Sequence, residues 1–138
     1  MPASTFAGNK LLDLLCRGVA WVAPTRVYVS LHTADPGNTG ASEVSTAAWP
    51  AYVRKDAANG GAVGTGFTAA ASKATSNALE LLWPAHNGAA NITVTHYALW
   101  DAVTAGNCLH SGPLTAAKTI GPTDEIVLHA GELDIAVT

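Results

Sequence analysis

The chain has 138 residues, of which 49% are hydrophobic and 12% are charged, a composition typical of a globular protein rather than a disordered one. The charged share is about half of the usual ~25%, which indicates a surface partly covered by copies of the chain or by other proteins. The net charge is −3 and there is no basic run, so we expect no nucleic-acid partner. No apolar stretch approaches the ~20 residues that span a bilayer. The first residues lack the pattern of a signal peptide, so we expect no membrane partner and synthesis in a cytosol.

The first element that the sequence predicts is a short amphipathic helix over residues 4–18. Ser4 or Thr5 can cap its start by accepting a hydrogen bond from a free amide. Gly18 can adopt the left-handed conformation that ends a helix. Helical spacing predicts one apolar stripe, made of Ala7, Leu11, Leu14 and Leu15. We expect this stripe to lie against the rest of the chain or against a neighbouring subunit.

After Pro24 the hydrophobic period changes to two, which is typical of β-strands. In residues 27–32, three aliphatic side chains alternate with those of Tyr28, Ser30 and His32. Further short stretches of this kind, separated by turns, are 52–54, 66–71, 78–83, 92–100, 108–110, 115–120, 125–129 and 133–137. Because no helical crossovers separate them, we predict about eight strands in an antiparallel, jelly-roll-like β-sandwich. We expect one domain over 1–138, with the helix at 4–18 and the sandwich at 26–138.

Residue types that bind metals are present but are not clustered in the sequence. The five histidines show no HxH or HExxH spacing, so no metal site is predicted. Asp35, Asn38 and Glu43 faintly resemble a calcium loop, but the Gly and the terminal Glu stand at the wrong positions. An Asx-turn that begins at Asp35 explains the same residues. Cys16 and Cys108 are predicted to be buried thiols, although a disulfide between them stays open.

No arrangement typical of catalysis is visible in the sequence. Ser111 lacks the strand–turn–helix setting of a catalytic serine. Cys108 and His110 would share a face of one strand, at ~6–7 Å, too far apart for a direct hydrogen bond. The glycine-rich stretch 59–66 precedes no helix and no Lys-Ser/Thr pair, so it is not a phosphate-binding loop. We predict no enzyme activity and no cofactor, and only polysaccharide hydrolysis stays open, since paired carboxylates leave no local mark.

Aromatic residues are the remaining candidates for a functional surface. Four of them lie near predicted strand ends or beside prolines and are our candidate interface residues: Trp49, Tyr52, Trp83 and Trp100. Burial is the commoner outcome for tryptophan in a sandwich, whereas an exposed ring can contact another subunit. An exposed Trp49 or Trp100 would also be able to stack on a saccharide.

Three blocks of sequence carry a resemblance to a known family. The first is VYVSLHTADPG at residues 27–37, followed by GASEV at 40–44. The second is VTHYALWDA at 94–102, and the third is AGELDI at 130–135. In this order they resemble small virion proteins of tailed bacteriophages, usually described as tail fibre or minor tail proteins. The resemblance extends over residues 6–137, with departures around 49–51 and 56–65.

The resemblance implies a non-enzymatic structural protein of a phage virion, made in the cytoplasm of the bacterial host. The expected role is that of a tail fibre or baseplate-associated subunit that acts through protein–protein contacts. The alternative is a capsid decoration, or cement, protein that stabilises the head. The expected partners are copies of the chain in a symmetric oligomer such as a trimer, tail, baseplate or major capsid proteins, and a receptor or glycan of the host surface.

Overall fold

Antiparallel strands account for most of the regular structure, and an α-helix precedes them. The structure, a computed structural model, describes residues 3–137. Helix α1 spans Thr5–Arg17. The strands are β1 Tyr28–His32, β2 Lys55–Asp56, β3 Ala74–Ser76, β4 Leu81–Leu82, β5 Ile92–Trp100, β6 Cys108–Ile120, β7 Val127–Leu128 and β8 Asp134–Ala136. The predicted class, mainly β and antiparallel with a helix near the N-terminus, is confirmed.

The strands form a four-stranded sheet and two shorter ladders. The order in the four-stranded sheet is β2-β1-β5-β6, and the ladders pair β3 with β8 and β4 with β7. One face of the sheet, including Leu31 and Val94, packs in a common core with Leu81 and Leu128 of the β4–β7 ladder. The ladders therefore supply the second layer of a sandwich-like fold, where a jelly roll has a second long sheet.

Strand β1 is buried on both faces, although its sequence alternates between aliphatic and polar residues. Val29 and Leu31 lie in the main core, and Ser30 and His32 point to the opposite side. The predicted alternation of faces is therefore confirmed. All four side chains are 0% exposed, so neither face of β1 is in contact with solvent. The polar face is covered because residues 35–42 fold over it.

Two irregularities in the β5–β6 pair change which side chains share a face. The register shifts between Val94 and His96, so Val94 lies in the same core as Tyr97 and Leu99. Strict alternation predicts opposite faces for Val94 and these two residues, and that prediction is wrong. A bulge explains the difference, because an unpaired residue reverses the alternation beyond it.

Strand β6 is longer than the sequence predicts. It runs from Cys108 to Ile120 without interruption, whereas the Ser111-Gly112-Pro113 stretch predicts a break between two strands. Pro113 is accommodated because β6 is the last strand of its sheet, and a proline at an edge leaves no inner ladder bond unmade.

The predicted ends of the helix are confirmed. Ser4 is the N-cap, and its hydroxyl accepts a hydrogen bond from the Ala7 N–H at 3.1 Å. At the other end Gly18 adopts a φ of 67°, and its N–H donates to the Asp13 carbonyl. This is the left-handed cap that terminates many helices, so the chain leaves the helix axis directly after Arg17.

Candidate interaction surface

The four aromatic residues predicted as candidate interface positions lie inside the protein. Trp49 and Trp83 are 0% exposed, Trp100 is 7% exposed and Tyr52 is 8% exposed. Trp49 packs against Tyr52 and His86, with ring centroids 5.6 Å apart in each pair. These four side chains therefore form no exposed contact surface on the single chain. A saccharide has no ring face on which to stack at Trp49 or Trp100.

Tyr52 completes the edge of strand β1. Its hydroxyl accepts a hydrogen bond from the Leu31 N–H at 3.0 Å and donates one to Glu43 Oε1 at 2.9 Å. Burial and the neighbouring charge of Glu43 raise the pKa of Tyr52 above its usual value, so the hydroxyl stays protonated and able to donate. A side chain thus takes the place of a ladder partner here, and the strand predicted at 52–54 is found at 55–56 instead.

Arg54 and Glu43 form a largely buried ion pair on the ring of Trp100. Arg54 Nε and Nη2 donate to the Glu43 carboxylate at 2.9 and 2.8 Å. Arg54 Nη1 donates to the carbonyl oxygens of Ala102 and Ala105 at 3.0 and 2.8 Å. Arg54 Cζ lies 3.7 Å from the centroid of the Trp100 ring, which is a cation–π contact. The cluster ties the turn after β5 to residues 43 and 54, and its charges are neutralised within the chain.

Ser30 and His32 form a hydrogen-bonded chain beneath residues 35–42. His32 Nδ1 lies 2.6 Å from the Ala41 carbonyl oxygen, so Nδ1 carries the proton and donates. His32 Nε2 then accepts from the Ser30 hydroxyl at 2.6 Å, and the Ser30 oxygen accepts from Trp100 Nε1 at 2.7 Å. Burial lowers the pKa of His32 below its usual value, which keeps the ring neutral as this pattern requires.

A serine hydrogen-bonded to a histidine also occurs in the active sites of hydrolases, but here the pair stabilises the fold. Both side chains are 0% exposed. A nucleophile must be accessible to its substrate, and the Ser30 hydroxyl is not. Ser30 and His32 were not predicted as a hydrogen-bonded pair. The signal was present, because Ser30 and His32 are two apart on a strand whose other face is aliphatic.

The residues considered for metal binding are used in turns and ion pairs. Asp35 Oδ1 accepts from the Gly37 N–H at 2.9 Å, which is the predicted Asx-turn. Glu43 is paired with Arg54. Across residues 3–137, no three His, Cys, Asp or Glu side chains are grouped so that they could hold a metal ion. Among the same residues, no helix has the length and apolar character that crossing a membrane needs.

The two cysteines lie in different environments, and both are free. Cys108 is 5% exposed, and burial raises the pKa of its thiol to about 11. The prediction of a buried thiol is therefore confirmed for Cys108. It is wrong for Cys16, which is exposed in the last turn of α1.

Cys108 and His110 do not share a face of the strand as predicted. Cys108 pairs with Trp100, and His110 pairs with Leu99. Neighbouring residues of β5 point to opposite faces, so their partners on β6 do as well. The register shift between Leu99 and Trp100 causes this separation.

The first turn of helix α1 fixes the helix to the edge of the sheet. The Ser4 N–H donates to the Leu109 carbonyl at 3.0 Å, and the Thr5 N–H donates to the Asn38 carbonyl at 3.3 Å. The Ser4 hydroxyl donates to the Cys108 carbonyl. These bonds extend the edge of β6, so the N-cap of the helix is part of the folded body.

The second half of α1 and the segment after it carry exposed apolar side chains. Leu12, Leu14 and Leu15 are 60%, 43% and 70% exposed, and Val19 and Val22 are 43% and 85% exposed. These five residues are termed the leucine face below. Rings of Phe6 and Trp21 meet edge to face with centroids 6.3 Å apart, so the segment that carries the two valines turns back along the helix.

The predicted helical stripe is covered at one end and uncovered at the other. Ala7 is buried, whereas Leu14 and Leu15 are exposed, so the chain itself does not cover the stripe as a whole. Leu12, Val19 and Val22 were not part of the predicted stripe. Val19 and Val22 lie beyond the end of the helix at Gly18, so no helical spacing in the sequence could have placed them beside Leu12.

The chain is mainly β, its buried polar clusters are paired within the chain, and apolar side chains of α1 and of the segment after it are exposed. Residues 2–136 match the family described as podophage GP4 fiber I protein gp80. Because the match covers nearly the whole chain, the protein belongs to this family of phage fibre proteins and is a component of the virion. The resemblance seen in the sequence is thereby confirmed. No curated protein matches the chain.

Proposed function

We propose that this protein is a non-enzymatic structural subunit of the phage tail fibre or of the adjoining baseplate, and that it acts through protein–protein contacts. The observation that carries the proposal is the leucine face, which turns apolar side chains outward on an element held to the body by its first turn. Membership of the fibre family supports the same role. Exposed apolar patches of this kind mark sites of protein contact.

Covering the leucine face would contribute a substantial part of the free energy of such a contact. Full burial of a Val or Leu side chain contributes about 1.5–3 kcal/mol. Since the five side chains are between 43% and 85% exposed, covering them contributes several kcal/mol. This amount offsets part of the free energy that two proteins lose in freedom of motion on association.

A role without catalysis is supported by the burial and the hydrogen bonding of the side chains that could otherwise react. The Ser30–His32 pair is 0% exposed, and the Glu43 carboxylate is taken up by Tyr52 and Arg54. Groups held in this way stabilise the fold and are not free to act as a nucleophile and its base.

The position of the protein on the particle is the decisive test. Purified virions would be labelled with a gold-conjugated antibody to this chain and viewed by electron microscopy. Label confined to the tail is expected. Label spread over the head, with hundreds of copies per particle on a stained gel, would replace the proposal by capsid decoration.

Absence of catalysis has its own test. Purified protein would be incubated with envelope polysaccharide of the host in a zymogram, beside an enzyme known to cleave it. We expect no clearing by this protein. Clearing that survives purification to homogeneity would overturn the non-enzymatic part of the proposal.

A further inference from the structure

The dipeptide Asn-Gly occurs twice in the chain, at Asn59-Gly60 and at Asn87-Gly88. An asparagine that precedes glycine is prone to lose its side-chain ammonia, because the amide nitrogen of a residue without a Cβ can reach the asparagine Cγ atom. Both asparagines are exposed, so access to water does not distinguish them. The hydrogen bonds of their reacting groups do.

His86 accepts a hydrogen bond from the amide nitrogen of Gly88. The Gly88 N–H donates to His86 Nδ1 at 3.3 Å, and His86 Nε2 lies 2.7 Å from the Ala90 carbonyl oxygen. Because a carbonyl oxygen only accepts, Nε2 carries the proton and Nδ1 is the unprotonated nitrogen. The ring is 1% exposed and packs on Trp49, which fixes its orientation. His86 Nδ1 is therefore placed as a general base for the Gly88 amide proton.

The side-chain carbonyl of Asn87 is polarised by a backbone amide. Asn87 Oδ1 accepts a hydrogen bond from the Ala51 N–H at 2.9 Å. A donor at this oxygen stabilises the negative charge that develops there when a nucleophile adds to Cγ. Within residues 3–137, no hydrogen bond holds Asn87 Nδ2, the leaving group. A base, an oxyanion donor and an unrestrained leaving group thus meet at this dipeptide.

The same groups are held differently at Asn59. Asn59 Nδ2 donates to the Glu80 carbonyl oxygen at 3.0 Å, so the leaving group is restrained. The Gly60 N–H donates to Asp56 Oδ2 at 3.0 Å. A carboxylate is a weaker base than an imidazole, and its negative charge opposes the charge that the amide nitrogen gains as it loses its proton. The hydrogen bonds at Asn59 therefore protect it.

We propose that Asn87 is a self-modification site, at which His86 promotes conversion of the asparagine to aspartate and isoaspartate. The Gly88 nitrogen forms a bond to Asn87 Cγ and passes its proton to His86 Nδ1. The bond from Cγ to Nδ2 then breaks, and His86 returns the proton to the departing ammonia. Water opens the resulting succinimide ring at either carbonyl. The reaction consumes water and releases ammonia without oxidation or reduction, and it adds a negative charge at an exposed position.

The second Asn-Gly pair is an internal reference for the test. Full-length protein would be incubated at neutral pH and analysed by peptide mass spectrometry, since each conversion raises the mass by about 1 Da. In the folded protein we expect conversion at Asn87 to be about tenfold faster than at Asn59, or more. In urea, where both sets of hydrogen bonds are lost, the two rates should converge. Equal rates in the folded protein, or a difference that persists in urea, would overturn the proposal.

The variant His86→Gln tests the role of the imidazole. It removes the base but keeps a side chain that can accept from the Gly88 N–H, so conversion at Asn87 should slow by about tenfold or more while that at Asn59 is unchanged. In the control His96→Gln, the altered histidine bonds to Thr95 instead, and both sites should convert as in the wild type. Circular dichroism and the thermal midpoint check that the variants are folded.

A folded His86→Gln protein that converts Asn87 as fast as the wild type would overturn the proposal. If His86→Gln does not fold, the comparison of the folded and urea-treated wild type decides by itself. Neither result depends on where the protein lies on the virion, so failure here would leave the labelling result on the tail unaffected.

Discussion

Two regions of this molecule distribute polar and apolar groups in opposite ways. Around Trp100, the Arg54–Glu43 ion pair and the Ser30–His32 chain lie in the interior. At the end of α1, leucine side chains lie in solvent, with Leu15 70% exposed. The region around Trp100 has its charges inside, and the end of the helix has its leucines outside.

The paired polar groups around Trp100 make the fold specific, whereas the exposed apolar side chains of the leucine face are available to bind another protein. Burying a polar group costs free energy unless the group is hydrogen-bonded. The polar groups around Trp100 are all hydrogen-bonded only when loop 35–42, Arg54 and β1 take the positions seen here. Apolar groups in solvent have no such partners within the chain, so the leucine face gains stability only from an outside contact. The four predictions that follow test this contrast, from the largest expected effect to the smallest.

Removal of the buried cation should have the largest effect. Arg54→Ala leaves the Glu43 carboxylate without its cation and uncovers the carbonyls of Ala102 and Ala105. We expect a loss of about 3–5 kcal/mol in the free energy of unfolding, as is usual for breaking a buried pair, measured by urea denaturation. In the matched control, Lys118→Ala breaks a more exposed pair with Glu132 and should cost about 0–1 kcal/mol. Equal losses of unfolding free energy in the two variants would contradict the prediction that the buried Arg54–Glu43 pair contributes more to stability than an exposed pair.

A methyl group at Gly40 should have the next largest effect. Gly40 has a φ of 81°, and an added Cβ would overlap the ring of Trp100. Gly60 has a similar φ of 85° but open space around it, so Gly60→Ala carries only the conformational cost, about 1–2 kcal/mol. We expect Gly40→Ala to lower the thermal midpoint clearly more than Gly60→Ala does. Identical midpoints would mean that loop 35–42 is not packed on Trp100.

Acidification should weaken the Trp100 region to a smaller extent. The pKa of His32 is lowered by burial, and Glu43, Arg54 and His96 are the charged or titratable groups that act on it. The unfolded chain then binds a proton that the folded chain refuses, so the free energy of unfolding falls as pH drops below about 6.5. The fall ends below the folded pKa. Urea titrations of wild type and His32→Gln should differ in this slope, and parallel curves would contradict the assignment, as would an NMR titration of His32 at or above the usual pKa.

The leucine face should respond least when the chain is alone. Leu15 is 70% exposed, so Leu15→Gln should change the free energy of unfolding of the monomer by less than about 0.5 kcal/mol. The measurement belongs at the lowest protein concentration that gives a signal. By contrast, Leu31 is 0% exposed, so Leu31→Ala should lower the free energy of unfolding by about 2–5 kcal/mol. A large loss for Leu15→Gln in the monomer would show that the leucine face packs on its own chain.

The sequence was informative where one local rule decides the structure. The capped helix, strand β5 at 92–100 and the Asx-turn at Asp35 are all found where they were predicted. In each, the deciding residues are neighbours along the chain. The family was equally legible, because the motif at 27–37 and those after it are continuous stretches.

The remaining errors arise where distant residues decide. Period-two spacing cannot reveal the register shift near Val94, which reversed the expected faces of β5. Neither can it show that Arg54 covers the Trp100 ring, which turned a candidate interface residue into a core residue. A sequence also does not state that α1 is fixed at Ser4 and free at Leu15, since that follows from where the edge of β6 lies.

The strand order of the large sheet also sets the order in which it can be assembled. The β5–β6 hairpin closes over residues 101–107, whereas Ser30 in β1 must meet Ala98 in β5, a separation of 68 residues. At the ~5–20 residues per second of synthesis, β1 and the helix before it leave the ribosome about 3–14 s before their partner strand exists. During that interval the edge of β1 that pairs with β5 is open, whereas β2 on its other edge is synthesised earlier. Pulse-labelled hydrogen exchange during refolding should accordingly protect the hairpin amides before those of β1.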